Sequence, residues 1–308
     1  MSDRAGSAWT VDPAEAGRAI AAFLRGRLPG HSWGLIKRFI ASGKVFVDDV
    51  RVGDEGRRVA AGERVEVRMA APRTRDAALA VRLVYEDPHV VILDKPAGVS
   101  SVPFEEHETG TAMDHVRAAW RRLGRRATER PLFVVHRIDK ETSGLLCFAK
   151  TKLAERALGA RFRAHDVERT YLAVAHGAMT VVRIETRLVP DRGDGLRGSS
   201  RRPGQGKRAV THVKPLRRLP GATFVECRLE TGKTHQIRIH LAEGGHPIVR
   251  ERVYIRDFLA RGMVALESPR LLLHAATLGF AHPVSGATVR CEAPLPPDYE
   301  QALHRLGG

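Results

Sequence analysis

The chain has 308 residues, of which 43% are hydrophobic and 28% are charged, and its formal net charge is +16. These values are typical of a globular protein of about two domains, and no apolar run approaches the ~18 residues that cross a bilayer. The N-terminus lacks an apolar signal segment, so we expect a cytoplasmic protein without membrane association. The positive charge favours nucleic acid as the partner over an anionic membrane surface.

The first part of the chain predicts a small separate domain. Residues 1–10 have no periodic pattern, and we expect them to be disordered. Residues 11–69 predict two short helices, the second capped by Ser32, followed by a two-stranded ribbon. This arrangement resembles the small RNA-binding domain first known from a ribosomal small-subunit protein. Because Trp33 stands where that pattern usually has arginine, an accessory domain with weakened RNA contact is the alternative. The resemblance implies an RNA face that contains Lys37, Arg38 and Lys44.

A linker and a second domain follow. Residues 70–80 have mixed charges and a proline, which predicts an exposed linker before a domain that spans 81–304. Residues 90–93 predict a buried strand that runs into a turn at 94–98. We assign Lys95, in this turn, to RNA binding or to support of a neighbouring functional loop, with a purely structural turn as the alternative.

The densest cluster of polar side chains lies at 136–150, between apolar runs at 132–135 and 145–149. Both apolar runs predict buried core strands, so the polar residues form a short connection on a rigid scaffold. Asp139 lies in this connection and is flanked by basic residues. A carboxylate in such a place is a candidate for catalysis, although an isolated turn aspartate often only caps backbone amides.

The next segments predict a helix, a strand and a loop. After the helix at 153–162, residues 168–177 alternate as a half-buried strand that contains Tyr171. From this segment alone, Tyr171 is a core residue. Residues 186–208 are rich in Gly, Arg, Ser and Pro, and they predict a flexible basic insertion.

The C-terminal third predicts a strand at 223–230, a short helix and two closing strands at 271–276 and 278–283. Thr234 is expected to cap the helix, in which Arg238 can point into a site while apolar neighbours anchor the element. The preceding Gly-Lys-Thr is not a phosphate loop, because Cys227 stands where that motif needs glycine.

Metal and cofactor sites are not predicted. The three cysteines, Cys147, Cys227 and Cys291, are dispersed in segments that predict strands. An odd number without paired spacing indicates buried thiols, not disulfides or zinc ligands. The histidines form no ligand pattern, and no cofactor motif is present.

Two separated motifs occur in the second domain, His-Arg-Ile-Asp-x-x-Thr-Ser-Gly-Leu-Leu at 136–146 and Thr-His-Gln-Ile-Arg-Ile-His-Leu at 234–241. Together they resemble the ribosomal-RNA-type family of pseudouridine synthases. The resemblance implies an α+β fold with a mixed, mainly antiparallel central sheet, flanking helices and an RNA-binding cleft. It also implies a cofactor-free isomerase that converts specific uridines of structured RNA to pseudouridine.

The resemblance assigns roles to individual residues. Asp139 supplies the catalytic carboxylate, Tyr171 packs against the uracil ring, and Arg238 forms an ion pair with Asp139. Whether Asp139 attacks the ribose C1′, attacks the ring at C6 or abstracts a sugar proton stays open. Arg137 would enter the duplex as the target base leaves it. The other residues of this domain that we expect to bind RNA are His136, Lys95, Lys233, His235 and Gln236.

The family pattern also has departures and competing hypotheses. Lys233 stands where arginine is usual, and Arg250 and Glu251 replace Gly-Asp, which puts the local loop conformation in question. Large-subunit ribosomal RNA is the expected substrate, transfer RNA is the alternative, and we expect a monomer. A non-catalytic RNA-binding or ribosome-assembly factor would be expected to lack a catalytic residue. A methyltransferase would need a glycine-rich cofactor loop, which the sequence does not contain.

Overall fold

The computed structural model describes residues 7–53, 55–71, 81–103, 108–124, 131–200 and 202–307. The chain divides into two compact units, Met1–Ala80 and Val81–Gly308. Residues 1–6 of the predicted disordered terminus and 72–80 of the predicted linker lie outside the described residues. None of the helices in the described part of the chain has the length and apolar character needed to cross a bilayer.

The described part of the first unit contains two α-helices, a short 3₁₀ helix (Pro13–Glu15) and an antiparallel sheet. Its elements are β1 (Ser7–Thr10), α1 (Ile20–Arg27), α2 (Trp33–Ala41), β2 (Val45–Val47), β3 (Val50–Arg51) and β4 (Arg64–Val67), and the strand order is β1-β4-β2-β3. The predicted cap is present, since Ser32 Oγ accepts a hydrogen bond from the Leu35 amide at 3.2 Å. Phe23, Ile36 and Ile40 are buried together against the sheet.

One prediction for this unit needs correction. Residues 7–10 are not disordered, because they pair with β4 as strand β1. The pairing uses backbone hydrogen bonds at the edge of β4, which any sequence can make. Three of the four side chains of β1 are exposed, so the strand leaves no apolar periodicity for a sequence pattern to detect.

The second unit is built on one large sheet. Its elements in chain order are β5 (Arg82–Glu86), β6 (Val90–Lys95), α3 (Ala112–Arg122), β7 (Phe133–Val134), β8 (Ser143–Ala149), α4 (Lys152–Ala164), β9 (Glu168–His176), β10 (Val182–Val189), β11 (Gly198–Ser199), β12 (Lys207–Leu219), β13 (Ala222–Leu229), α5 (Gln236–Glu243), α6 (Arg256–Ala260), β14 (Leu273–Ala281), β15 (Thr288–Glu292) and α7 (Pro297–Arg305). The strand order is β11-β10-β12-β13-β9-β14-β8-β6-β5, with β15 paired to β14 and β7 to β8. Among the described strands, β8 and β14 run parallel and the other pairs are antiparallel. The predicted α+β fold is therefore confirmed.

Strands β6 and β8 are buried on both faces. On one face Leu146 and Phe148 pack with Trp120 of α3, and on the other Cys147 packs with Leu158 of α4. Burial on both sides explains why these strands are continuous apolar runs without alternation. The segment that enters β8, which contains Asp139, is therefore attached to a rigid part of the fold.

Three further predictions for this unit differ from the structure. The run at 132–135 is not a buried core strand, because β7 pairs only with the end of β8 and Val134 is 44% exposed. The two strands predicted at 271–276 and 278–283 are one strand, β14. Its register against β9 shifts between Ala275 and Thr277, where the sequence pattern predicted a break between two strands. Within 186–208, the two ends belong to β10 and β12 and residues 198–199 form β11, so the irregular segment is shorter than predicted. In the loop, Asp191 accepts hydrogen bonds from two backbone amides. Such local side-chain bonds have no signature in composition.

Gly144 provides a test of the parallel pairing between β8 and β14. Its φ is +107°, and an added Cβ would overlap the carbonyl oxygen of Ala275. We expect Gly144→Ala to lower the free energy of unfolding by roughly 2–6 kcal/mol, because backbone strain and overpacking add. Urea denaturation followed by circular dichroism measures the change.

Gly159→Ala is the matched control for that experiment. Gly159 lies in helix α4, where an added Cβ meets only the flexible end of Arg163 at 3.3 Å. Alanine in a helix interior should raise stability by about 0.5–1 kcal/mol. A Gly144→Ala protein as stable as the wild type would contradict the close approach of the two strands.

Candidate active site

The loop that contains Asp139 is held by the segment that follows β6. The Ile138 amide donates to Ser101 Oγ at 3.2 Å, and the Ser101 hydroxyl donates to the Ile138 carbonyl oxygen at 2.7 Å. The Ile138 side chain is buried in the cluster around Trp120. The Thr142 amide donates to the Asp139 carbonyl oxygen at 3.1 Å. The backbone on both sides of Asp139 is therefore fixed.

Lys95 is part of this support and not of an RNA surface. Its side chain is fully buried, and Nζ donates to the carbonyl oxygens of Pro96, Val99 and Lys140 at 2.9, 2.7 and 3.1 Å. Burial lowers the pKa of Lys95 to about 7. The predicted RNA contact is wrong, because the ammonium is enclosed by these carbonyls, one of which belongs to the residue after Asp139.

Two residues of the second motif approach the Asp139 carboxylate. Arg238 Nη1 lies 3.7 Å from Oδ2, and His235 Nε2 lies 3.9 Å from Oδ1. The Asp139 side chain remains 18% exposed, so it faces both the protein and the cleft. Burial lowers the pKa of His235, although the negative charge of Asp139 acts in the opposite direction and raises it. The structure thus brings together the carboxylate and the cation that the resemblance paired.

Helix α5 positions Arg238 in a way that the sequence did not predict. The helix begins after His235, whose φ is +59°, so the predicted cap by Thr234 is wrong. Gln236 is buried, and its side chain bonds to Thr231 Oγ1 at 2.8 Å and to the Val210 carbonyl oxygen at 2.9 Å. These bonds occupy the side-chain amide of Gln236, so the predicted RNA contact of Gln236 is wrong and its role is structural.

His136 and Tyr171 lie on the cleft as neutral rings. The Cys147 amide donates to His136 Nε2 at 2.9 Å, and the imidazole stacks on Phe162 with ring centroids 4.5 Å apart. Burial, with a contribution from the charge of Arg169, lowers the pKa of His136 to about 3. Burial raises the pKa of Tyr171 to about 12, so its hydroxyl keeps its proton. Both rings offer flat, uncharged surface beside Asp139.

The cleft around Asp139 has a volume of about 820 Å³. This volume suits a small ligand or one flipped nucleotide. Among the described residues that line it, the acids are Asp139 and Glu155. The arginine and lysine residues of the same lining are Arg137, Arg156, Arg163, Arg169, Lys233 and Arg238. The charge balance favours a polyanion.

Helix α4 contributes cleft residues that sequence reasoning missed. Arg156, Phe162 and Arg163 line the cleft from this helix. The spacing of seven residues places Arg156 and Arg163 on the same helical face, and Phe162 lies at the edge of that face. This pattern was available in the sequence, but nothing in it indicated that the face borders a cleft.

Two more missed residues lie after the second motif. Glu251 accepts hydrogen bonds from Nε and Nη2 of Arg238, both at 2.7 Å. The Tyr254 hydroxyl lies 2.7 Å from His235 Nδ1. The sequence identified position 251 only as a departure from the family pattern, with no contact attached to it.

The predicted RNA face of the first unit is only partly exposed. Lys37 and Arg38 are exposed on α2, and Lys37 forms an ion pair with Glu55 at 3.0 Å. Lys44 is buried and donates to the carbonyl oxygens of Met69, at 2.7 Å, and Ala71. The predicted RNA contact of Lys44 is therefore wrong.

The described residues include no group of three or more His, Cys, Asp or Glu side chains placed to hold a metal ion. The three cysteines are buried free thiols in β8, β13 and β15, as predicted.

Comparison with known proteins gives consistent matches. Residues 89–243 match the family model described as RNA pseudouridylate synthase. The chain is 36% identical over 310 residues to ribosomal large subunit pseudouridine synthase D of Neisseria meningitidis serogroup A, which covers 96% of this chain and 81% of that protein. It is 34% identical over 308 residues to ribosomal large subunit pseudouridine synthase C of Escherichia coli K12, and this alignment covers 95% of this chain and 94% of that protein.

A solved structure shows the same fold. It is the human RNA pseudouridylate synthase domain containing 4, with a TM-score of 0.57 and 23% sequence identity over 73% of this chain and 92% of that one. The chain belongs to the RNA pseudouridylate synthase family. The predicted enzyme class, an RNA pseudouridine synthase, is thereby confirmed.

Lys95→Met tests the support of the Asp139 loop. The substitution keeps the length of the side chain but removes the donor from three carbonyl oxygens. Because a buried acceptor without a partner costs about 1–3 kcal/mol, the free energy of unfolding should fall by at least that amount. Urea denaturation measures it, with the exposed Lys214→Met as control. Equal midpoints for Lys95→Met and the wild type would rule out this role.

Proposed function

We propose that this synthase modifies uridines of large-subunit ribosomal RNA and that Asp139 is its catalytic carboxylate. The names of two relatives with 36% and 34% identity over most of the chain support the substrate. The residue assignment rests on one observation, the approach of Arg238 Nη1 to 3.7 Å from Asp139 Oδ2 within a basic cleft.

The chemistry requires few groups. Forming pseudouridine breaks the bond between base and sugar, rotates the uracil and makes a carbon–carbon bond, with no exchange of electrons or phosphoryl groups. A carboxylate has to act as nucleophile or base, a flat surface has to hold the free ring, and a cation has to pair with the carboxylate in the cleft. In our proposal Asp139, Tyr171 and Arg238 take these three roles.

The cleft has to receive a nucleotide that has left its stack. Unstacking a base costs a few kcal/mol, so residues that occupy the vacated space lower the barrier. Arg137 is exposed beside Asp139 at the cleft, which supports this role for it. Lys233 and the arginines of α4 would contact phosphates, and those contacts position the RNA without reading its sequence.

Two alternative functions are compatible with the same basic cleft. A synthase for transfer RNA would use the same cleft, and a non-catalytic RNA-binding factor would bind without turnover. The cytoplasmic location and the monomeric state stay predictions from the sequence.

Asp139→Asn tests the catalytic assignment. The amide keeps the shape of the side chain but can act neither as nucleophile nor as base, so pseudouridine formation should be lost. RNA affinity should be kept, because it depends on many phosphate contacts. The assay measures tritium release from uracil carbon 5, using RNA from a strain that lacks the gene, together with filter binding.

The control for this experiment is Asp257→Asn, an exposed carboxylate that pairs with Arg192. It should keep full activity. Appreciable tritium release by Asp139→Asn would contradict the catalytic role. Wild-type protein that binds RNA tightly yet releases no tritium from any RNA fraction would favour the binding factor.

Arg38→Gln tests whether the first unit contributes affinity. Arg38 is exposed on α2, so removing its charge should raise KM for structured RNA and leave kcat unchanged. The slope of the logarithm of the binding constant against the logarithm of the salt concentration should become smaller in magnitude by about 1. Arg25→Gln, an exposed arginine on α1, is the comparison. Identical salt slopes for Arg38→Gln and the wild type would show that this face does not bind RNA.

A further inference from the structure

The most enclosed ion pair near the cleft joins Arg238 to Glu251. The Glu251 side chain is 0% exposed and the Arg238 side chain 8%. The guanidinium donates from Nε to Oε2 and from Nη2 to Oε1, both at 2.7 Å, which is a bidentate arrangement. Buried charges are unfavourable unless their hydrogen-bonding groups are satisfied, so both partners should be strongly constrained.

Glu251 is itself anchored to the backbone of its loop. Oε1 also accepts hydrogen bonds from the amides of Val253 at 2.8 Å and Tyr254 at 3.3 Å. The carboxylate therefore has four donors in a closed environment. Burial alone would raise the pKa of Glu251, but the hydrogen bonds and charge of Arg238 and these two amides lower it, so the group is ionised at neutral pH.

The geometry of this pair determines what Arg238 offers to Asp139. A guanidinium is planar and rigid, so binding Nε and Nη2 on one edge fixes the direction of the remaining nitrogen. That nitrogen, Nη1, is the atom that lies 3.7 Å from Asp139 Oδ2. Among the described residues, Glu251 is the hydrogen-bond acceptor of both Nε and Nη2, so its loss would free the guanidinium to pair bidentately with Asp139.

The same loop also constrains the second neighbour of Asp139. The ring of Tyr254 lies beside Arg238, with its centroid 5.5 Å from the guanidinium carbon. Its hydroxyl contacts His235 Nδ1 at 2.7 Å, and His235 Nε2 faces Asp139. Loop residues 251–254 therefore orient both groups that approach the carboxylate.

We propose that Glu251 is a positioning residue for pseudouridine formation, which holds Arg238 so that a single guanidinium nitrogen faces Asp139. The inference rests on the proposed function of Asp139 and Arg238. Glu251 is enclosed beneath Arg238, and its described side-chain contacts are with Arg238 and with the amides of its own loop, not with the open cleft. Its removal should therefore affect the rate of the reaction and not the binding of RNA.

Glu251→Gln is the test. The glutamine oxygen can keep the backbone amides and Nη2, but its NH₂ group then faces the Nε donor of Arg238, so the guanidinium has to move. Because a displacement of about 1 Å in an active site can reduce turnover roughly 100-fold, kcat should fall by about that factor while KM for RNA stays unchanged. Glu251→Asp keeps the charge and both acceptor atoms, and it should recover most of the lost turnover.

The matched control is Glu267→Gln. Glu267 is an exposed carboxylate, 83% accessible, which pairs with Arg250 in the same region of the chain. The same chemical change there should leave kcat and KM unchanged. Urea denaturation of each variant separates loss of turnover from loss of folding.

Crystal structures of the wild type and Glu251→Gln provide a second readout that does not depend on activity. We expect Arg238 Nη1 to leave its position beside Asp139 in the variant. An active wild type with an equally active Glu251→Gln variant, or a variant crystal structure with Arg238 unmoved, would overturn the positioning role. Wild-type protein that forms no pseudouridine in any RNA would instead contradict the proposed function itself.

Discussion

The buried guanidinium of Arg238 is the interaction on which the candidate site depends. Burial opposes its charged form, but the hydrogen bonds and charge of Glu251, with the charge of Asp139, raise the pKa of Arg238 above its ordinary value. A cation in this place is stable only because two carboxylates offset its desolvation. The arrangement of the 251–254 loop and that of helix α5 are therefore mutually dependent.

The Asp139 half of the site is supported independently. Its loop is tied to the segment after β6 through Ser101 and Lys95, and it continues into β8, which is buried on both faces. Across the cleft, the two halves approach each other through the contacts of Asp139 with Arg238 and His235. Such a division allows each reacting group to be held rigidly while the space between them stays open to a substrate.

The distribution of positive charge is less even than the net charge of +16 suggests. Lys44, Lys95 and Arg238 are buried and bonded to structural partners, so their charged groups are not available to contact phosphates at the protein surface. The cleft receives its basic character largely from α4 and from Arg137 and Lys233. Composition therefore predicts the kind of partner, and burial decides which cations face it.

The sequence determined the enzyme class, the position of Asp139 and its partner Arg238, and the burial of β8. The burial of β8 follows from a local apolar run, whereas the enzyme class and the pairing of Asp139 with Arg238 were implied by the resemblance of two separated motifs to a known family. Both signals are strong because each involves several residues in a fixed order.

Tertiary structure alone decided which polar residues support the site and which face the cleft. Lys95, Gln236 and Lys44 have the residue types of RNA ligands, but each is held by at least one carbonyl oxygen remote in sequence, which no local pattern encodes. Glu251 is thirteen residues from Arg238, and its contact exists only because the loop folds back beneath α5. A polar side chain has the same sequence signature whether its partner is water, RNA or a buried group, and only the packed fold distinguishes these states.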